Sequence, residues 1–231
     1  VNSKPTIYVT YCLAVSAFQT KKNDYWALLD SQEQRIATRF KLKLLHERYV
    51  ICHGLLREVL ANYIGVSADS LCIDKAEFGK PYLKDYPEIN FNMSHSGDCF
   101  LIALGENCQV GVDIESYKPR STWEGLVKKC FAQEEIDYWM SLDPKQRGAA
   151  FYDIWVQKEA FVKAVGQGIT LGLNQCVTSQ KPCCSFLRLP ESCGTVGQWQ
   201  VEPLMLASHV HAAVISNQQK MTVSLREYKQ K

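Results

Sequence analysis

The chain has 231 residues, 46% hydrophobic and 22% charged, with a formal net charge of +2. This length allows one large domain or two small ones with a sizeable core, and the composition excludes intrinsic disorder. The near balance of charge gives no bulk attraction to nucleic acid or anionic lipid.

Near the start, IYVTYCLAVSAF follows Lys4 and ends in small residues, the outline of an export leader. Tyr8, Thr10 and Tyr11 interrupt the apolar run, and β-branched and aromatic residues dominate it, so it is read as a strand. No stretch reaches the ~18 to 20 apolar residues of a membrane span. There are ten cysteines but no Cys-x-x-Cys pair; Cys183 and Cys184 are adjacent, flanked by Cys176 and Cys193. Zinc sites use two well-spaced pairs, so no metal-thiolate centre is expected. Cys12, Cys52, Cys99 and Cys130 sit in apolar company, where a reduced thiol packs as a small hydrophobe. The expectation is a reduced, cytoplasmic protein.

Ser31 with Gln34 reads as a capping box that launches one long helix. Leu55, Leu56, Val59 and Leu60 recur within it at helical spacing, and Gly65 ends it. LCIDKAEF, INFNM and CFLIALG then read as strands, broken by Gly79-Lys80-Pro81 and Ser96-Gly97-Asp98. Gly105-Glu106-Asn107 turns the chain into QVGVDIE. In the second half, WEGLVKKCF, AQEEIDYWMSL and FYDIWVQKEAFVKAVG read as helices, the last stopped by Gly166 and Gly168. VTSQ, CSFLRL, QWQVEPLML, HAAVIS and MTVSLREY follow, the last four read as one antiparallel sheet. The fold expected is α+β: two similar lobes, residues 1–107 and 108–231, each a mostly antiparallel sheet packed with helices.

Side chains alternate along a strand, so Asp113 and Glu115 share one face while Val112 and Ile114 enter the core. Adjacent carboxylates repel unless a cation or proton lies between them. Held rigidly, their oxygens suit Mg²⁺, with Glu159 as a third ligand from a helix. Trp155, Glu159 and Lys163 are spaced by four and line one stripe. A carboxylate for a metal beside an ammonium for a phosphate fits phosphoryl transfer. A solvated strand end and a surface Glu–Lys pair would use the same residue types.

GVDIE followed by W-x-x-K-E-A-x-x-K resembles the paired signature of 4′-phosphopantetheinyl transferases of the surfactin-synthetase-activating type. FNMSHS at 91–96 resembles that family's F-N-x-S-H-S segment, and FGKPYL at 78–83 its G-K-P segment. HERYVICHGLLREVL resembles the helix whose basic residue approaches the nucleotide. The likeness covers nearly the whole chain, although residues 35–48 fit loosely.

The resemblance implies pseudo-two-fold lobes with the site in the cleft between them. It implies transfer of the phosphopantetheine arm from coenzyme A to a serine of an apo acyl or peptidyl carrier protein, releasing adenosine 3′,5′-bisphosphate. Asp113, Glu115 and Glu159 would hold Mg²⁺ or Mn²⁺, Lys163 would touch the pyrophosphate, and Glu159 would take the serine proton. Ser94 and His95, just past a strand, would meet a phosphate, and Lys80 would lie along the adenine. Arg48, with Arg35 or Arg39 in support, would bind the 3′-phosphate. One chain supplies both lobes, so a monomer suffices; no nucleic acid or membrane partner is expected. Residues 121–135 would either dock the carrier through Trp123, Leu126, Val127 and Phe131, rimmed by Lys128 and Lys129, or bury those four apolar residues in the core. The alternatives are another Mg²⁺-dependent phosphoryl or nucleotidyl transferase, for which no glycine-rich phosphate loop is present, and a non-catalytic binding module.

Overall fold

The computed structural model describes residues 5–119, 122–179 and 184–229. In β1 (Thr6–Cys12), Ile7, Val9 and Cys12 are buried. A 3₁₀ segment, Val15–Lys21, buries Val15 and Phe18 and runs into α1 (Lys22–Leu28). α2 (Ser31–Ala37) is capped one residue earlier than the sequence reading placed it. Asp30 accepts from the amides of Gln32 and Glu33, and Glu33 Oε2 accepts from Asp30. The single helix expected from residue 31 also breaks. Residues 38–45 are all exposed, so no burial favours a helix there, and α3 (Lys43–Ile64) is a separate helix that buries a face only from Val50 onward. Gly65 closes it at φ 84°, the left-handed conformation in which glycine has no Cβ to strain.

β2 (Ile73–Lys75) and β3 (Pro81–Leu83) make a short hairpin. β4 (Ile89–Ser96) and β5 (Cys99–Glu106) pair antiparallel along their full length. β6 (Val110–Ser116) then opens the second lobe, followed by α4 (Glu124–Cys130), α5 (Gln133–Ser141) and α6 (Pro144–Val165). β7 (Val177–Thr178) pairs with β8 (Phe186–Arg188), and β9 (Gln200–Pro203) and β10 (Val210–Ser216) follow. β11 (Thr222–Glu227) ends the described strands. Cys183 and Gln180 lie outside the described residues; Cys12, Cys52, Cys72, Cys99, Cys108, Cys130, Cys176 and Cys193 are free thiols. Among the described residues, no helix is long and apolar enough to cross a membrane.

The strands form two main sheets, ordered β11-β1-β5-β4 and β6-β10-β9. The last four strand segments therefore do not make one sheet. β8 joins β7, and β11 crosses to the first sheet and pairs parallel with β1, Thr6 opposite Thr222. Tyr228 holds it there: its ring lies 5.7 Å from that of Phe18, and its hydroxyl donates to Glu58.

Three cores result. α3 packs its apolar face, including Leu55, Leu56, Val59 and Leu60, on Phe100, Ile102 and Leu104 of β5. α6 belongs to a second core with Phe131, Trp139, Phe186 and Trp199. The third core joins the lobes, with Ile7, Val9, Leu101 and Ala103 of the first sheet among Val110, Val112, Ile114 and Val214 of the second. The architecture is two α+β lobes, each a sheet carrying one 22-residue helix.

β6 and α6 touch through Gly111. A Cβ there would strike the Ala160 carbonyl and the Ala164 backbone. Gly111→Ala is expected to destabilise the protein by about 1–3 kcal/mol, since backbone cannot yield as a side-chain tip does. Gly125→Ala in α4, where a Cβ meets nothing within 4 Å, should be neutral or stabilising by up to ~1 kcal/mol. Urea unfolding of the two variants measures both; equal effects would refute the close-approach account.

Candidate active site

The pleat of β6 sends Val110, Val112 and Ile114 into the inter-lobe core. Gly111, Asp113 and Glu115 therefore share the opposite face, the one Gly111 shows to lie beneath α6. From α6, Glu159 and Lys163 line an open cleft of about 270 Å³ together with Phe78, Lys80, Pro81 and Asn92. The other wall of the site is β4. Its residues Asn92, Ser94 and Ser96, two apart on one face, each reach β6: Asn92 Oδ1 accepts from the Val112 amide at 2.9 Å, Ser94 Oγ donates to Asp113 Oδ1 at 2.7 Å, and Ser96 Oγ donates to Glu115 Oε2 at 2.5 Å.

Lys163 completes this group. Its ammonium lies 2.6 Å from Asp113 Oδ1 and 2.9 Å from Ser94 Oγ, so in this structure it contacts a carboxylate expected to hold metal. Asp113 is 4% exposed, and its other oxygen, Oδ2, is buried without a hydrogen-bond partner. Burial raises the pKa values of Glu115 and Glu159 above the usual carboxylate range. Repulsion from Asp113 adds to both shifts, and Lys163 opposes them. The site therefore carries negative charge that its own groups do not compensate.

That imbalance is what a divalent cation would relieve, and all three donors are hard carboxylate oxygens suited to Mg²⁺ or Mn²⁺. The residues fit such an ion on these grounds. They do not stand as a ready cage: among the described residues, no three His, Cys, Asp or Glu side chains converge in a metal-holding group. Asp113 Oδ1 is held by Lys163 and Ser94, and Glu115 Oε2 by Ser96.

Ser94 and His95 belong to β4 itself, not to a loop after it, because His95 pairs with Phe100 and Ser96 with Cys99. His95 keeps an exposed edge. Desolvation of its ring, then the positive charges of His53, Lys163 and Arg48, pull its pKa below the ordinary imidazole value, with Asp113 opposing. Lys163 and Arg48 beside the two imidazoles make a local positive field suited to a phosphate. Arg35 and Arg39 are exposed at the end of α2 and are not among the charges acting on His95. His53 escaped the sequence reading, although it follows Tyr49 by one helical turn and stacks on it at 3.9 Å.

Lys80 is placed differently from a residue lying free along a ligand. Its ammonium donates to the carbonyls of Val110 at 3.1 Å and Ala164 at 2.6 Å. It thereby ties the start of β6 to the last turn of α6, where cations are favoured. Its pKa is pulled down to about 8 by burial.

One further reading is decided by the structure. The apolar stripe from Trp123 to Phe131 turns inward: Val127 and Phe131 are buried, and Trp123 packs 4.8 Å from Phe151. Lys128 and Lys129 stay exposed. Lys158, adjacent to Glu159 and about 100° around the helix, is fully buried. It bonds Glu135 and the Leu173 and Cys176 carbonyls, pinning the segment after α6.

Two family descriptions match this chain, one in each half. The family described as 4′-phosphopantetheinyl transferase superfamily matches residues 109–215, and the one described as 4′-phosphopantetheinyl transferase, N-terminal, matches residues 18–107. A Synechocystis sp. protein, itself a candidate 4′-phosphopantetheinyl transferase, is 33% identical over 78% of this chain and 74% of its own length. The 4′-phosphopantetheinyl transferase HetI of Nostoc sp. is 35% identical over 65% of each chain. The 4′-phosphopantetheinyl transferase Sfp of Bacillus subtilis is 28% identical over 68% of each. The chain belongs to the 4′-phosphopantetheinyl transferase superfamily.

The raised carboxylates give a stability test. A group whose folded pKa lies above its unfolded value stabilises the fold fully below the unfolded pKa, and that contribution is lost as pH rises through the folded value. In chelator the protein should therefore lose stability as pH rises above about 4.5, the ordinary Glu value. Glu159→Gln should recover part of that loss at pH 7, raising Tm by about 2–4 °C, the shift that ~1 kcal/mol produces at this size. A thermal melt in EDTA that shows a lower Tm for Glu159→Gln would refute the charge imbalance.

Proposed function

We propose that this chain is a 4′-phosphopantetheinyl transferase of the surfactin-synthetase-activating type. It moves the phosphopantetheine arm of coenzyme A onto a serine of an apo acyl or peptidyl carrier protein. The reading rests above all on one observation: Asp113, Glu115 and Glu159 crowd under-compensated negative charge beside Lys163 and a cluster of basic groups. The named relatives HetI and Sfp carry the same activity in their names.

In this reaction the serine Oγ forms a bond to the phosphorus nearer the pantetheine. The bond from that phosphorus to the bridging oxygen breaks, and adenosine 3′,5′-bisphosphate leaves. Asp113, Glu115 and Glu159 would hold Mg²⁺, with Mn²⁺ able to replace it. When bound, the ion supplies positive charge against the pyrophosphate oxygens. Lys163, 2.6 Å from Asp113 Oδ1, is close enough to turn to a pyrophosphate oxygen and stabilise the leaving group. Glu159, with its raised pKa, takes the serine proton directly or through a water.

His95 and Arg48, with His53 beside them, hold the phosphates of the nucleotide end. The stem of Lys80 flanks the adenine while its ammonium stays on the backbone carbonyls. In this division, residues 1–107 serve coenzyme A and residues 108–231 the metal and the chemistry. The protein works as a cytoplasmic monomer.

Incubation with coenzyme A, Mg²⁺ and a panel of apo carrier proteins, followed by intact mass, tests the activity. One carrier at least should gain a single phosphopantetheine arm. The gain should vanish in excess chelator and fall at least 100-fold in Asp113→Ala or Glu159→Ala, as expected when a charge-stabilising group is lost. No mass gain on any carrier would sink the proposal.

The depressed His95 pKa sets a pH test. The free imidazole is mostly neutral at pH 7, and a bound phosphate favours its protonated form. Coenzyme A binding should then tighten as pH falls from 7 toward the free-protein value, which lies below 6.5, and the slope should disappear in His95→Gln. Arg48→Ala should raise KM for coenzyme A and leave dephospho-coenzyme A, which lacks the 3′-phosphate, unaffected. Equal effects on the two donors would move Arg48 away from that phosphate.

A further inference from the structure

The hydroxyl of Ser96 makes a contact that the proposed chemistry does not use. Ser96 Oγ donates to Glu115 Oε2 at 2.5 Å, across the junction of the lobes. The same oxygen accepts from the Ser116 amide at 3.3 Å, and the Ser116 hydroxyl donates to the Ser96 carbonyl at 3.2 Å. Ser96 is the last residue of β4, opposite Cys99 beside the turn at Gly97, where φ is 60°. A Cβ at Gly97 would come 3.3 Å from Ser116 Oγ, so the turn packs closely on β6. The hydroxyl is therefore aimed by backbone on both sides.

We propose that Ser96 is a positioning residue for Glu115. A carboxylate on a flexible Glu stem samples several rotamers, and holding one of its two acceptor oxygens sets the direction of the other. The donor from Ser96 fixes Oε2 toward β4 and leaves Oε1 to turn toward Asp113 and Glu159. Partners that orient a ligand in this way typically govern metal affinity by about 10- to 100-fold. Because Ser96 belongs to the first lobe and Glu115 to the second, divalent-ion binding is coupled to correct docking of the lobes. The inference rests on the metal role proposed above for Asp113, Glu115 and Glu159.

The test uses the full chain with coenzyme A present and Mn²⁺ as the probe, its free concentration followed by electron paramagnetic resonance. Ser96→Ala should weaken Mn²⁺ binding by roughly tenfold, and Ser96→Thr, which keeps a hydroxyl, should restore most of it. Ser116→Ala breaks the neighbouring lobe bridge but leaves the Glu115 contact, and should bind Mn²⁺ like the wild type. Thermal melts in chelator report folding separately from ion affinity. If Asp113→Asn abolishes Mn²⁺ binding while Ser96→Ala binds as the wild type does, the positioning role is overturned and the metal site stands. If Ser116→Ala and Ser96→Ala lose affinity equally, Ser96 is only a lobe fastener and the proposal fails. Absence of Mn²⁺ binding by the wild type would overturn both the metal role and this inference.

Discussion

The clasp between β4 and β6 is the constraint on which the site depends. Each is an edge strand of its own sheet, and an edge presents backbone groups that need partners when buried. Main-chain pairing between the two edges would have merged the sheets and filled the space with backbone. Instead Asn92, Ser94 and Ser96 span the gap with side chains: Asn92 accepts from the Val112 amide, and the two serines donate to the carboxylates Asp113 and Glu115. The polar residues that join the lobes thus also hold one oxygen of each carboxylate. Inter-lobe packing on Val110, Val112 and Ile114 supplies the adhesion, while the clasp supplies register.

α6 is then fixed against β6 by contacts that leave little freedom. Gly111 lets the helix backbone approach, and Lys80 bridges Val110 and Ala164. On the far side, Lys158 ties the helix to Glu135 and the following segment. A buried pair of this kind is weak evidence of net stability, but losing one partner would leave an uncompensated charge and cost several kcal/mol, roughly 3–5. Such a contact penalises rotation of α6 about its axis. Rotation matters here because Lys158 and Glu159 are neighbours in sequence and differ only in which side of the helix they occupy.

Much of this was legible in the sequence wherever a period met a spacing. Period two in GVDIE correctly put Asp113 and Glu115 on one face, and spacing by four put Glu159 and Lys163 on one stripe that borders the cleft. Gly65 and Gly166 ended α3 and α6, both at positive φ. The less legible features were those decided by distant partners. Asp30 displaced Ser31 as a cap because its other oxygen also meets Arg57 at 2.9 Å. β11 joined the first sheet through Tyr228, which no local pattern announces. The apolar stripe at Trp123 and Phe131 gave no sign of whether core or partner would cover it; Phe151 did. FNMSHS did hold a readable signal, since its polar residues at 92, 94 and 96 repeat every second position on one face.

The same arrangement explains why stability and function pull in opposite directions at this junction. Asp113 is nearly inaccessible yet keeps an unpartnered oxygen, and Glu115 and Glu159 stay close to it despite mutual repulsion. Local chemistry would favour an amide or an apolar residue at any of these positions. Lys163 offsets part of the charge by binding Asp113, but one ammonium among three carboxylates leaves the group net negative. A residue set that is under-neutralised on its own, and rigid because two lobes enforce it, suits a cationic ligand better than it suits the free protein. The strain is held by interactions some distance away, in the apolar inter-lobe core and in the contacts that fix α6 at Gly111 and Lys158.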